Sequence, residues 1–184
     1  MRLWLIRHAP VEAPPGLCYG ASDLPAQAAE TQRAAIAMAP RLPHGVALHS
    51  SPLQRCTALA GTIGALRPDL DGPTLDPRLA EMDFGAWELQ SWQQIARADI
   101  DAWTTGFADM PAGVRGESTR IFMQRVGAAW DAWRATGRDA AWVTHAGVIR
   151  AVRLLQRGVR CPRDAAEWPA QPIAHGEWLE IAVD

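Results

Sequence analysis

Apolar residues along the chain fall in short continuous runs separated by longer stretches at helical spacing. Leu3-Trp4-Leu5-Ile6 has the pattern of a strand buried on both faces. Four prolines and two glycines between Ala9 and Pro25 predict a long loop. An alanine-rich helix is expected over Ala26 to Ala39, and a second buried strand over Val46 to Ser50. Ser51-Pro52 then reads as a helix start, with serine as cap and proline at the first helical position. That helix carries Arg55 one turn in and runs to about Leu66. Asp69 to Leu75 reads as a turn, and Leu89 to Ala98 as a short helix. Phe122, Val126, Trp130 and Trp133 recur at helical spacing within a longer helix from Glu117 to Ala135, which places both tryptophans in the core. Ala140 to Thr144 is the third buried strand, Gly147 opens another helix, and Glu177 to Val183 alternates like a closing strand near an edge. Strands alternating with helices imply an α/β fold: three layers, a mainly parallel sheet with helices on both faces. The glycine- and proline-rich stretch from Gly106 to Gly116 is read as a loop over the site, not a boundary, so residues 1–184 are expected to form one domain.

Composition narrows the function classes. With 184 residues, 48% apolar and 21% charged, the chain can bury a real core. A net charge of −2 provides no field to gather nucleic acid or an anionic membrane, and neither is expected as a partner. All 18 basic residues are arginine. Cys18, Cys56 and Cys161 are scattered, which suits free thiols in a reducing compartment. No stretch has the length of a membrane span or the layout of a signal peptide, so the expected location is the cytoplasm. His44, His49 and His175 are read as structural or solvated. No histidine or cysteine set has metal-ligand spacing, so neither metal nor cofactor is expected. Arg150, Arg153, Arg157, Arg160 and Arg163 recur at helical spacing and read as a solvated face.

Chemistry gathers at the strand ends, where open α/β sheets bind ligands. Three predicted strands end in Arg7-His8, Ser50-Ser51 and Thr144-His145, with Arg55 just beyond the second. Guanidinium forks match phosphate oxygens, and helix N-termini offer N–H groups to the same anion. A neutral imidazole can attack phosphorus once arginines neutralise the oxygens, and it can leave again when water attacks. The departing alkoxide needs a proton. Glu81 and Asp83 are candidates two residues apart, and only one of them is expected to face the site.

Four segments then carry a resemblance. Leu5-Ile6-Arg7-His8, Ser51-Pro52-Leu53-Gln54-Arg55, Leu79-Ala80-Glu81-Met82-Asp83-Phe84-Gly85-Ala86-Trp87-Glu88 and Val143-Thr144-His145-Ala146-Gly147-Val148-Ile149-Arg150 appear in order. Together they resemble the histidine phosphatase superfamily, also called phosphoglycerate mutase-like. The resemblance implies His8 as nucleophile, Glu81 as proton donor, and Arg7, Arg55 and His145 as the phosphate pocket. It also implies a small phosphorylated substrate. Gly16-Leu17-Cys18-Tyr19-Gly20 and Gly116-Glu117-Ser118 add a softer similarity to α-ribazole phosphatases of cobalamin synthesis. Ala9, Pro14, Tyr19 and Leu89 depart from the family pattern, which has glycine at positions 9 and 89.

Rival readings fare worse. Asp69-Leu70-Asp71-Gly72 looks like the nucleophile loop of haloacid dehalogenase-like phosphatases, but it follows a predicted helix, and the chain lacks lysine. A cysteine phosphatase needs arginine six residues after the cysteine; those positions are Leu24, Thr62 and Glu167. A phosphatase or mutase of sugar phosphates or phosphoglycerate is the enzyme alternative, and an inactive anion-binding scaffold is the alternative of another class. Of Trp87, Trp92 and Trp103, one could meet a flat substrate ring or simply pack.

Overall fold

The computed structural model describes residues 1–183. Five strands, β1 (Arg2–Arg7), β2 (Ala47–Ser50), β3 (Asp71–Leu75), β4 (Ala140–Thr144) and β5 (Trp178–Ala182), form one sheet in the order β3-β2-β4-β1-β5. All neighbours are parallel except β5, which runs antiparallel to β1 at the edge. The helices are α1 (Ala28–Met38), α2 (Gln54–Leu66), α3 (Arg97–Thr105), α4 (Thr119–Thr136) and α5 (Ala146–Gln156).

Alternation along the middle strands builds two cores. Leu3 and Leu5 of β1, with Ala140 and Trp142 of β4, pack with α4 and α5 on one face. Trp4, Ile6, Ala141 and Val143 point the other way, onto α1 and α2. The three-layer arrangement expected from the sequence is therefore present. Trp130 and Trp133 are buried in the first core, as their spacing implied.

Three local expectations are corrected. The segment read as a turn before Leu75 is the edge strand β3, every residue of which is exposed. Main-chain pairing adds about 1 kcal/mol net per bond, whereas burying a Leu or Ile on a middle strand contributes about 1.5–3 kcal/mol. A strand held by the former alone leaves no hydrophobic pattern, and an edge tolerates Pro73. No helix covers Leu89 to Ala96. Leu89 sits at φ 63° and donates its N–H to the Cys18 carbonyl, while the Gln90 carbonyl accepts the Cys18 N–H, and α3 starts only at Arg97. Helix α2 begins at Gln54, and its first N–H is capped by the Asp23 carboxylate at 2.7 Å. Ser51 serves elsewhere. Among the described residues, no helix is long and apolar enough to cross a membrane.

Candidate active site

Strand register assembles the site. Arg7 pairs with Thr144 and Ser50 with Val143, so the next residues, His8, Ser51 and His145, emerge at one end of the sheet. The His8 N–H bonds the Thr144 carbonyl at 3.0 Å, and the Ser51 N–H bonds the Val143 carbonyl at 3.0 Å. A cavity of about 300 Å³ opens there, lined by Arg7, His8, Tyr19, Arg55, Glu81 and His145, with Phe84 and Trp92 on its wall. All five residues singled out from the sequence meet in it.

His8 is 2% exposed. Its Nδ1 lies 2.7 Å from the Ala9 carbonyl, which can only accept, so the proton sits on Nδ1. Nε2 keeps its lone pair. Alanine in place of glycine at position 9 preserves this contact, because the carbonyl makes it. Burial, then the Arg55 charge, push the His8 pKa well below its ordinary value, so the ring is neutral at neutral pH.

His145 is fully buried, and burial again comes first in holding it neutral. Arg55 Nε–H donates to its Nδ1 at 3.3 Å, so Nε2 carries the proton and donates to Ser51 Oγ at 2.9 Å. Ser51 was read as a helix cap; its hydroxyl instead fixes this tautomer. Arg55 is also fully buried and donates to the carbonyls of Ser22 at 2.7 Å and Gly20 at 2.6 Å. A guanidinium has five N–H donors; with three engaged, two remain for an anion. Arg7 donates to the Ile173 carbonyl and to His175 Nε2, leaving three donors, including a buried Nε without a partner.

Glu81 faces the cavity, whereas Asp83 turns away and accepts the Gly85 N–H at 2.7 Å. Glu81 accepts from Met82 N–H at 3.0 Å and from Gly147 N–H, at the start of α5, at 3.0 Å. One N–H at each helix start is thus already taken by a carboxylate of the protein, Asp23 at α2 and Glu81 at α5. The expected helix N-terminal cradle is thereby reduced, and the arginines carry most of the anion recognition.

Two contributors escaped the sequence reading. His175, taken as structural or solvated, stands with its ring centroid 5.3 Å from that of His8, and its Nε2 accepts from Arg7 at 2.8 Å. Burial and the Arg7 charge lower its pKa to about 4. Its position follows from β5 lying antiparallel beside β1, which sets the residues before β5 against Arg7 and His8; the Gly176 N–H reaches both carbonyls. Glu88 is the other. Its carboxylate accepts the N–H groups of Gly20, Ala21, Ser22 and Phe84, and so shapes the loop whose carbonyls hold Arg55. Gly20 must be glycine, because a Cβ there would overlap the Met82 carbonyl. The loop from Gly106 to Gly116 does not line the His8 cavity; it packs its glycines against Gly85 and Phe84 and so backs the Glu81 segment. Trp87 is buried in the core. Among the described residues, no group of three or more His, Cys, Asp or Glu side chains is placed to hold a metal ion.

Comparison with known proteins agrees with this fold. The protein TTHB049 from Thermus thermophilus is 29% identical, with a TM-score of 0.72 over 98% of this chain and 93% of that one. A structure described as phosphoglycerate mutase from the same organism is 28% identical, with a TM-score of 0.72 over 98% and 92%. A mycobacterial glucosyl-3-phosphoglycerate phosphatase shares the fold at 23% identity, with a TM-score of 0.80 over 98% and 89%. No curated protein matches the sequence. The family described as histidine phosphatase superfamily (branch 1) matches residues 3–178, nearly the whole length, and the chain belongs to that superfamily.

Proposed function

We propose that the chain, acting as one domain over residues 1–184, is a phosphomonoesterase that works through a phosphohistidine on His8. The observation that carries this reading is the state of His8. It is a buried, neutral imidazole with its proton held by Ala9, and its free Nε2 shares a cavity with two arginines that have unused donors. Nε2 attacks phosphorus, the phosphorus–oxygen ester bond breaks, and Glu81 in its acid form gives its proton to the leaving alkoxide. Water then attacks the phosphohistidine, the nitrogen–phosphorus bond breaks, and the Glu81 carboxylate takes the water's proton. Arg7 and Arg55 hold the transferring oxygens, so the charge is met by guanidinium groups without a metal. His145 forms the inner wall and orients Arg55.

α-Ribazole 5′-phosphate is the favoured substrate, supported by the segments around Cys18 and Glu117 and by aromatic residues on the cavity wall. Phosphoglycerate chemistry is the second reading, favoured by the structure bearing that mutase's name. The test is to quench turnover in alkali, in the presence of a chelator, and map the phosphate. Acid-labile label on His8 and its loss in His8→Ala are expected; full turnover by His8→Ala removes the mechanism.

A further inference from the structure

The stretch that carries Glu81 leaves a single 3₁₀ turn, Pro77–Leu79, and enters no strand or helix before Gly85. Its main-chain carbonyls have no ladder to join, so their partners must come from elsewhere. Four consecutive carbonyls find them in side chains. Arg125, on α4, donates to the carbonyls of Arg78 at 3.0 Å, Ala80 at 2.7 Å and Glu81 at 2.8 Å. The Leu79 carbonyl among them accepts from the hydroxyl of Thr144, the residue before His145, at 2.7 Å.

Glu117 completes the clamp. Its two carboxylate oxygens meet the Arg125 fork at 2.7 Å each, and one of them also takes the Asp83 N–H at 3.0 Å. The Glu117 N–H returns a bond to the Asp83 carbonyl at 2.8 Å. All five Arg125 N–H groups are thus engaged, whereas Arg7 and Arg55 keep donors free for an anion. The Phe122 ring covers the guanidinium, with its centroid 4.7 Å away. Arg125 therefore holds main chain and has nothing left to offer a substrate.

One rigid unit links this clamp to the acid. The Glu81 carbonyl and the Met82 N–H belong to the same planar peptide. Its C=O faces Arg125, and its N–H faces the Glu81 carboxylate at 3.0 Å. Turning that plane would swing the carboxylate off the Met82 and Gly147 N–H groups. We propose that Arg125, fixed by Glu117, is the positioning residue of the general acid: it sets the plane of the 81–82 peptide and so aims the Glu81 carboxyl at the leaving oxygen. The inference rests on the phosphatase reading for the acid's task, but not for the coupling between Arg125 and the carboxylate. A second clamp of the same make supplies the control. At the far end of α2 from Arg55, Arg67 meets both oxygens of Asp69 and donates to the carbonyls of Ala39, Leu42 and Pro43.

The test compares Arg125→Met with Arg67→Met, which removes the same kinds of bond away from the acid. In Arg125→Met, alkyl phosphate hydrolysis should fall about 10- to 100-fold, the scale of a misplaced catalytic group, while the nitrophenyl phosphate burst changes less than about 3-fold. Arg67→Met should lower the melting temperature and leave the ratio of the two esters at its native value. Arg125→Lys keeps the charge and the stem but not the fork, so it should fold and still show the ester dependence. The amide proton shift of Gly147 reports its bond to the Glu81 carboxylate without turnover. It should move upfield in both Arg125 variants and stay in place in Arg67→Met. A loss shared equally by the two esters, or an unmoved Gly147 amide, overturns the assignment. No phosphate release by the native protein, with the Gly147 amide still moved, keeps the coupling and removes the phosphatase; release with no ester dependence in the Arg125 variants does the reverse.

Discussion

At the scale of single residues, the site is built by side chains that can take only one state. His8 must keep its proton on Nδ1, facing the Ala9 carbonyl, and His145 is locked between Arg55 and Ser51. Glu81 is held as firmly, through the Gly147 N–H, and the same contact explains why position 147 is glycine. A Cβ there would overlap the Glu81 carboxylate. Gly147→Ala should therefore push Glu81 aside without touching His8 or the arginines. Hydrolysis of an alkyl phosphate, whose leaving group needs the proton, should fall about 100-fold, in the range typical of a lost general acid. Nitrophenyl phosphate, whose leaving group needs little help, should lose much less in the burst that reports phosphoryl transfer. Equal losses for both esters would show that the glycine serves packing and not the position of Glu81.

At the scale of elements, the loop after β1 depends on a carboxylate far along the chain. Glu88 collects the N–H groups of Gly20, Ala21 and Ser22, and the carbonyls of Gly20 and Ser22 in turn hold Arg55. Without it, the loop would have to satisfy those N–H groups with water and the carbonyls would drift from Arg55. Glu88→Gln turns one acceptor oxygen into a donor that faces other donors. It should cost about 2 kcal/mol of stability, the scale of hydrogen bonds to a charged group. Acting through Arg55, it should also weaken competitive inhibition by inorganic phosphate, measured well below the melting temperature. If phosphate inhibition is unaltered while stability drops, Glu88 supports the loop alone and Arg55 keeps its place by other means. Leu89 beside it shows the same tension. It occupies a left-handed conformation that residues other than glycine rarely adopt, in the turn that delivers Glu88 to the loop.

At the scale of the whole molecule, the fold excludes protons from its centre. His8, His145 and His175 all have pKa values lowered by burial first, His175 to about 4. An unfolded histidine titrates near 6.5. Below that pH the unfolded chain binds protons that the folded one refuses, so stability is complete above about 6.5 and declines as the pH falls. Each of the fully buried pair contributes a slope of up to about 1.4 kcal/mol per pH unit in that range. Melting temperature should hold steady from pH 8 to 7 and drop progressively from 6.5 toward 4. A melting temperature unchanged down to pH 5 would show that the fold does not hold these rings neutral below their ordinary pKa.

The sequence by itself determined the middle of this molecule and the ends of its central strands. Leu3 to Ile6 and Ala140 to Thr144 are apolar on both faces because both faces are covered, and a residue that must be polar at such a strand end stands out, as Arg7, His8 and His145 do. Arg55 and Glu81 were legible through the segments around them. What lies at the rim was decided by tertiary structure alone. β3 has no buried face and so no pattern; Ser51 bonds a histidine 94 positions away instead of capping its helix; His175 reaches His8 only because β5 lies antiparallel against β1. Trp103, Thr119 and Arg150 sit on three separate elements, and only packing brings them to line one cavity. Local sequence records which face of an element is buried; which elements converge, and on what, is set by the register of the sheet.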